Sequence, residues 1–391
     1  VELFVDAAYG TLIKHGEELP GDMVNVIRLE DCTIVVMADG LGSGVKANIL
    51  ATLTSKIAGT MLKEGADIYE TVDTIANTLP VCKVRNIAYS TFTLIKVYDN
   101  GQAYIAEYDN PPIFVIRNGK SMDIKKNEIV VNGKIIRESN ILLEENDIIT
   151  IVSDGVVHAG LGNILNFGWQ WKDVETYLKK RSLNNLSSQE ITKDLLETCG
   201  ELYNFKPGDD TTTVCIKVRK PCFVNMFTGP PANREFDSIV IKEFINSNGK
   251  KIICGGTAAN IAERELKRKL KVNLNFSDKE VPPTAAMEGI DLITEGVLTL
   301  NKTVEKMKKY TDEIRENSHY DLELKGTDGV SSLLKILIEE CTHLNLWVGK
   351  AVNPAHQNPN FPIDLSIKLK LVQELCSLME KLGKNVHINY V

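Results

Sequence analysis

The 391-residue sequence lacks any uncharged apolar run long enough to cross a bilayer, which takes about 20 residues as a helix. No membrane-spanning helix is expected. The start, Val1-Glu2-Leu3-Phe4, lacks the basic and apolar regions of a secretory signal, so a cytoplasmic protein is expected. A first residue other than methionine points to a trimmed end with residues upstream. Blocks of basic residues are missing too. The formal net charge of -7 gives no general attraction to nucleic acid or anionic lipid, and the most basic stretch, residues 264–271, alternates with leucines as a solvated helix face does. Neither nucleic acid nor a membrane surface is an expected partner. The eight cysteines (Cys32, Cys82, Cys199, Cys215, Cys222, Cys254, Cys341, Cys376) include no Cys-x-x-Cys pair and no Cys/His spacing suited to zinc. Cys32, Cys215 and Cys254 lie in or beside apolar strand-like runs, where a reduced thiol acts as a small hydrophobe. Disulfides are not expected in the cytoplasm. No internal repeat or low-complexity tract is present.

What is there fits a globular protein: 43% hydrophobic and 25% charged residues, at a length that calls for two domains with separate cores. From residue 1 to about 220, strands follow one another without helices between them, an α+β pattern. Strands are expected over 3–13, 23–29, 33–38, 88–98, 102–108, 113–117, 148–152 and 211–218, with tight turns at Asp99-Asn100-Gly101 and Asn118-Gly119. Helices are expected over 45–62 and 68–78, where Ile49, Leu53, Ile57 and Met61 recur every fourth residue to cover one sheet face. Helices over 172–180 and 188–203, the latter capped by Ser187 or Ser188, would cover the other face with Ile191, Leu195, Leu196 and Leu202. The expected architecture is a sandwich of two antiparallel sheets between helices. Lys-Pro-Cys and Gly-Pro-Pro-Ala-Asn interrupt the pattern over 220–234, which sets the boundary between domains 1–220 and 221–391. Beyond it, helices expected over 237–245, 258–270, 298–310, 330–341 and 364–382 alternate with strands over 251–254, 290–293, 346–348 and 386–390. Such alternation indicates a smaller, doubly wound α/β domain. Residues 316–327 are polar and are expected to loop out.

Four aspartates occupy chain breaks where a carboxylate is presented: Asp22 in Pro-Gly-Asp, Asp39 in Ala-Asp-Gly-Leu-Gly-Ser-Gly, Asp154 in Ser-Asp-Gly and Asp209 in Pro-Gly-Asp-Asp-Thr-Thr. Two of them end apolar strand runs, and the glycine that follows lets the backbone turn and bring its own carbonyl close. Clustered carboxylates suit Mg²⁺ or Mn²⁺, and a pair of such ions can clamp a phosphoryl group and activate water. Any one Asp-Gly is more commonly only a turn. The weight lies in the ordered set.

That set, Gly-Asp, Ala-Asp-Gly-x-Gly-x-Gly, Ser-Asp-Gly and Gly-Asp-Asp-x-Thr, resembles the protein phosphatase 2C superfamily over roughly residues 1–218, closest to the bacterial branch typified by sporulation stage II protein E. The resemblance implies an α-β-β-α sandwich and a Mn²⁺- or Mg²⁺-dependent serine/threonine phosphatase acting on a phosphorylated protein, with two ions. It implies that Asp39 bridges the ions with the Gly40 carbonyl on one of them, that Asp154 and Asp209 hold the other, and that Asp22 binds a metal or orients its waters. Asp210 would support Asp209, although the two could exchange roles. Ser43 and Gly44 open the next helix, where free N–H groups could meet an anion; cap and turn is the commoner use of such residues.

The sequence departs from the best-known eukaryotic members at two places. Leu41 stands where they carry the histidine proposed as general acid, leaving His158 or a metal-bound water for that role. No arginine precedes Gly21-Asp22 to hold phosphate, leaving Lys14 or His15, of which His15 fits a solvated loop better. These gaps support a second expectation, a non-catalytic phosphatase-like scaffold. A two-metal nuclease would explain the carboxylates but finds no basic groove. In the second domain, Cys254-Gly255-Gly256-Thr257 and the loop 353–359 follow strands where ligands or plain turns are found. A third glycine and an acidic ribose partner, needed for a dinucleotide, are not evident. Phosphatases of this branch often carry regulatory domains, so a small-molecule or protein effector is expected at 221–391.

Overall fold

The protein divides by chain contacts into two units, Val1–Lys220 and Pro221–Val391, each described by itself. The computed structural model describes residues 2–79, 90–272, 283–316, 326, 328–351 and 367–391. Cys82, the loop 353–359, most of the polar stretch 317–327 and the first residues of the strand expected from 88 and the helix expected from 364 lie outside the described residues.

The first unit runs β1 (Phe4–Leu12), β2 (Asp22–Arg28), β3 (Cys32–Gly40), α1 (Gly44–Lys63), α2 (Ile68–Thr78), β4 (Ser90–Tyr98), β5 (Gln102–Tyr108), β6 (Phe114–Arg117), β7 (Lys120–Ser121), β8 (Asn127–Val131), β9 (Lys134–Leu142), β10 (Ile148–Val152), α3 (Asp154–Val157), α4 (Trp171–Ser182), α5 (Ser188–Leu202) and β11 (Thr211–Arg219). Its strands form a six-stranded sheet, β2-β3-β4-β5-β9-β8, and a five-stranded sheet, β1-β11-β10-β6-β7, antiparallel throughout. Val35, Met37, Ile95 and Ile105 of one sheet pack against Ile149, Ile151, Val214 and Ile216 of the other, all fully buried. Each such side chain contributes roughly 1.5–3 kcal/mol by burial. Helices α1 and α2 cover the outer face of the first sheet, and α4 and α5 that of the second. The unit is an α+β, α-β-β-α sandwich.

Helix α1 buries a different face from the one its large residues suggest. Ala47, Ala51, Ala58, Gly59 and Leu62 face the sheet, whereas Ile49 and Leu53 are 51% and 41% exposed. Small residues let the helix approach β2 and β3 closely: a Cβ on Gly40 would overlap the Ala47 carbonyl, and one on Gly59 would press on Asn25 and Ile27. Ser187 caps α5 in a reciprocal box, with its Oγ accepting from the Glu190 N–H at 3.2 Å and its own N–H donating to Glu190 Oε2 at 2.7 Å.

The second unit runs β12 (Phe223–Thr228), α6 (Asp237–Asn246), β13 (Lys250–Cys254), α7 (Gly256–Leu266), β14 (Lys271–Val272), β15 (Ala285–Met287), β16 (Ile290–Thr294), α8 (Val297–Glu316), α9 (Gly329–Lys335), β17 (His343–Val348), α10 (Ile367–Lys381) and β18 (Asn385–Tyr390). Its sheet has the order β14-β15-β16-β13-β12-β17-β18, parallel from β16 to β18. Helices α6 and α7 pack on one face, and α8, α9 and α10 on the other. Winding therefore reverses between β12 and β17, the doubly wound arrangement. The central strand β12 lies within 220–234, where the sequence suggested only a break; flanking prolines hid a six-residue strand buried on both sides.

Candidate metal centre

Register brings the first two carboxylates together. Antiparallel pairing of β2 with β3 sets Asp22 directly opposite Asp39, and pairing of β3 with β4 sets Asp39 opposite Thr91 and Gly40 opposite Ser90. Ser90 Oγ donates to the Asp39 carbonyl at 2.9 Å, fixing that strand end. From the facing sheet, β10 stops at Val152 and α3 starts at Asp154, while β11 starts just after Asp209 and Asp210. Ser153 N–H donates to the Thr212 carbonyl at 2.9 Å, and Thr212 N–H donates to Ser153 Oγ at 2.9 Å. These bonds hold Asp154 beside Asp209 and Asp210. A Cβ on Gly155 would overlap the Asp210 carbonyl, so this approach requires glycine.

Asp210 ties the two sheets at this end. One oxygen accepts the Lys14 N–H at 2.9 Å and the other the Gly21 N–H at 2.7 Å, while Gly40 N–H donates to the Gly21 carbonyl at 3.0 Å. Both Asp210 oxygens are thus engaged by the β1–β2 loop, a role the sequence did not reveal beyond its Asp-Asp pair. Asp209 is half-exposed, and its Oδ1 accepts the Asp210 N–H at 3.0 Å.

Like charge concentrates here. Burial raises the Asp22 carboxyl well above its ordinary value, with the Asp39 charge adding to it and hydrogen bonds from Thr212 and Ser153 opposing. Asp39 is pushed up to about 7, first by burial and then by the charges of Asp154 and Asp209. Burial, then Asp209, raises Asp154, against which His158 acts. Burial raises Asp210 too, partly offset by its two backbone donors. Asp22 Oδ2 is buried with no hydrogen-bond partner. Among the described residues, no three His, Cys, Asp or Glu side chains already stand close enough to hold an ion. Still, an orphaned buried oxygen among mutually repelling carboxylates suits a hard divalent cation, which supplies the missing charge and accepts oxygen ligands.

The flanking residues are more dispersed. Lys14 Nζ lies 3.8 Å from Asp209 Oδ1 with both groups partly exposed, a contact worth at most about 1 kcal/mol. His158 is exposed at the end of α3, and His15 is exposed with its N–H donating to the Pro207 carbonyl at 2.9 Å. Ser43 does not cap α1; its Oγ donates to Glu17 Oε1 at 2.9 Å, and a Cβ on Gly44 would meet the same carboxylate. Glu17 therefore sits at the opening of α1, a placement no local motif announces.

Residues 30–219 match the family model of stage II sporulation protein E. Among solved structures, the chain is similar to the PP2C phosphatase domain with a fragment of the regulatory domain of SpoIIE from Bacillus subtilis, at 20% identity and a TM-score of 0.47, covering 56% of this chain and 64% of that one. It is similar to the RsbU and RsbW domains of Rv1364c from Mycobacterium tuberculosis, at 16% identity and a TM-score of 0.47, covering 62% and 68% of the two chains. RsbX in complex with magnesium is similar at 16% identity and a TM-score of 0.40, covering 55% and 95%. The chain thus spans less than two thirds of that Bacillus subtilis chain. None of the curated proteins matches the sequence.

Proposed function

Since residues 30–219 match the family model of stage II sporulation protein E, we propose that the first unit is a Mn²⁺- or Mg²⁺-dependent phosphatase that hydrolyses phosphoserine or phosphothreonine on a regulatory protein. The observation that carries it is the pairing of Asp22 with Asp39 at one end of the sandwich, where the charges of Asp154 and Asp209 raise the Asp39 carboxyl and Asp22 Oδ2 is buried and unpartnered.

In this proposal Asp39, the Gly40 carbonyl, Asp22, Asp154 and Asp209 would hold a pair of ions. Bound cations would supply charge neutralisation at phosphorus and an activated water. The chain itself does the positioning. Asp210 keeps its oxygens on the Lys14 and Gly21 amides, which favours Asp209 as the ligand of the two. Gly40 and Gly155 permit the close backbone approach that aims Asp39 and Asp154. Lys14, paired loosely with Asp209, can turn to a phosphate oxygen. His158 is the nearest side chain after Asp154 able to protonate a leaving oxygen, since Leu41 cannot.

The second unit is proposed as a regulatory domain that takes a small molecule or a protein partner. A cytoplasmic location belongs to the same proposal: Cys32, Cys199, Cys215, Cys254 and Cys376 are free thiols, the state a reducing compartment maintains. Among the described residues, no helix is long and apolar enough to cross a membrane.

The test is phosphate release from a phosphoserine peptide by the full chain with Mn²⁺. Turnover should require the metal and vanish in Asp39→Asn and Asp209→Asn. Metal binding with tight retention of phosphopeptide and no turnover would replace the enzyme with a binding scaffold, which the leucine at position 41 would then explain.

A further inference from the structure

At the end of the second unit's sheet where winding reverses, Lys368 has no carboxylate partner among the described residues. Of the helices that follow these strands, α6 after β12 packs on one face and α10 after β17 on the other, a switch point of the kind at which doubly wound sheets take ligands. Lys368, in the first turn of α10, reaches back over this point. Its ammonium donates to the Gly349 carbonyl at 2.5 Å, just past β17, and a Cβ on Gly229, just past β12, would overlap the same Nζ. Gly229 has φ +76, so both its backbone and the seat it leaves favour glycine. The backbones after the two strands touch: Gly349 N–H donates to the Thr228 carbonyl at 2.9 Å and Ala351 N–H to the Pro230 carbonyl at 3.2 Å.

Three features of this lysine call for an anion. It is half-buried, yet among the described residues no carboxylate pairs with it, and a carbonyl takes one of its three donors. It lies at the start of a helix, where the dipole disfavours positive charge. Desolvation by burial pulls its pKa down, and among the described residues no acid opposes that shift. Lys350, with its Nζ 5.2 Å from the Tyr390 ring centroid, adds a second cation at the same strand ends.

We infer that the C-terminal ends of β12 and β17, with Lys368 as the fixed cation, form a binding site for a small metabolite bearing a phosphate or carboxylate group. The oxyanion takes the free donors of Lys368 and balances its charge. The strand ends lack a dinucleotide fingerprint: β12 is followed by Gly229-Pro230-Pro231 rather than a glycine-rich phosphate turn, and β13 itself ends in Cys254-Gly255 rather than in an acid. The inference stands on the second unit alone and survives if the first unit proves inactive.

The test uses the full chain, metal-free and carrying Asp39→Asn so that phosphate has no ions to bind in the first unit. Acetylation of Lys368 is followed by mass spectrometry with inorganic phosphate, adenosine monophosphate or succinate, against chloride at equal ionic strength and against exposed Lys46. At least one probe should slow labelling of Lys368 while leaving Lys46 unchanged. Which probe does so separates phosphate from carboxylate recognition. Calorimetry with that probe should then find at least about tenfold weaker binding in Lys368→Met and near-normal binding in Lys368→Arg, as loss of one charge-assisted hydrogen bond requires. Labelling that no probe alters more than chloride does, or undiminished binding in Lys368→Met, overturns the site.

Discussion

The two units place their chemical groups at strand ends, but with opposite charge and from different sources. In the first, carboxylates come from strand ends in both sheets of an antiparallel sandwich and repel one another. In the second, a single ammonium arrives from a helix and settles over two parallel strand ends. A strand end fixes a group whichever way the sheet is built; the sign of the charge there decides whether a cation or an anion completes it. The carboxylates belong to the strands' own sequence neighbourhood and leave a motif. Lys368 is 19 residues from the carbonyl it meets and leaves none.

The comparison is broken most directly by removing one charge from each unit. Asp39→Asn should lower Mn²⁺-dependent phosphate release by at least about a hundredfold, as loss of a central electrostatic group does, while leaving anion protection of Lys368 intact. Loss of both would mean that the two centres are not independent. Next come the glycines that let backbones approach. Gly40→Ala in the first unit and Gly249→Ala in the second, where φ is +95 and a Cβ would overlap the Phe223 carbonyl, should each cost roughly 2–5 kcal/mol in urea unfolding. Smaller effects sharpen the picture of α1. Ala51→Leu, at a fully buried position against the sheet, should cost about 1–3 kcal/mol, whereas Ile49→Ala, already 51% exposed, should stay within about 1 kcal/mol. The reverse ranking in a urea titration would restore the large-residue face as the buried one.

The smallest effect carries a sign. Asp39 has its folded pKa raised from 3.8 to about 7, so its ionisation opposes folding as pH climbs between those values and fully above them. In metal-free protein, Asp39→Asn should therefore raise the melting temperature by a few degrees at pH 8. That gain should shrink as pH falls and disappear below about pH 3, where the carboxyl is protonated in both states. A variant no more stable than wild type at pH 8 would mean that Asp39 is not crowded by like charge.

Much of the first unit was legible because its strands are apolar runs bounded by turn residues, and the four aspartates sit where those runs start or stop. The register that sets Asp22 opposite Asp39 was not legible, since pairing partners far apart in the chain leave no local trace. Nor was the clamp by which Asp210 holds the Lys14 and Gly21 amides. The hairpin of β8 and β9 escaped because Val130, Ile135 and Leu142 place apolar residues on the exposed side as well, which blurs the apolar alternation. Helix α1 misled for a physical reason: close packing selects alanine and glycine, so Ile49 and Leu53 turned outward. In the second unit the alternation of helix and strand was enough for the class, but β12 was lost between prolines, and with it the strand order that locates the reversal point.

The central claim is that distant carboxylates act together on divalent cations. Titrating Mn²⁺ into the metal-free full chain by calorimetry tests it without a substrate. Wild type should bind a pair of ions, with the heat largely lost in Asp39→Asn and reduced in Asp154→Asn and Asp209→Asn, each variant keeping its native circular dichroism. Equal Mn²⁺ binding by wild type and Asp39→Asn, or none by either, would contradict it.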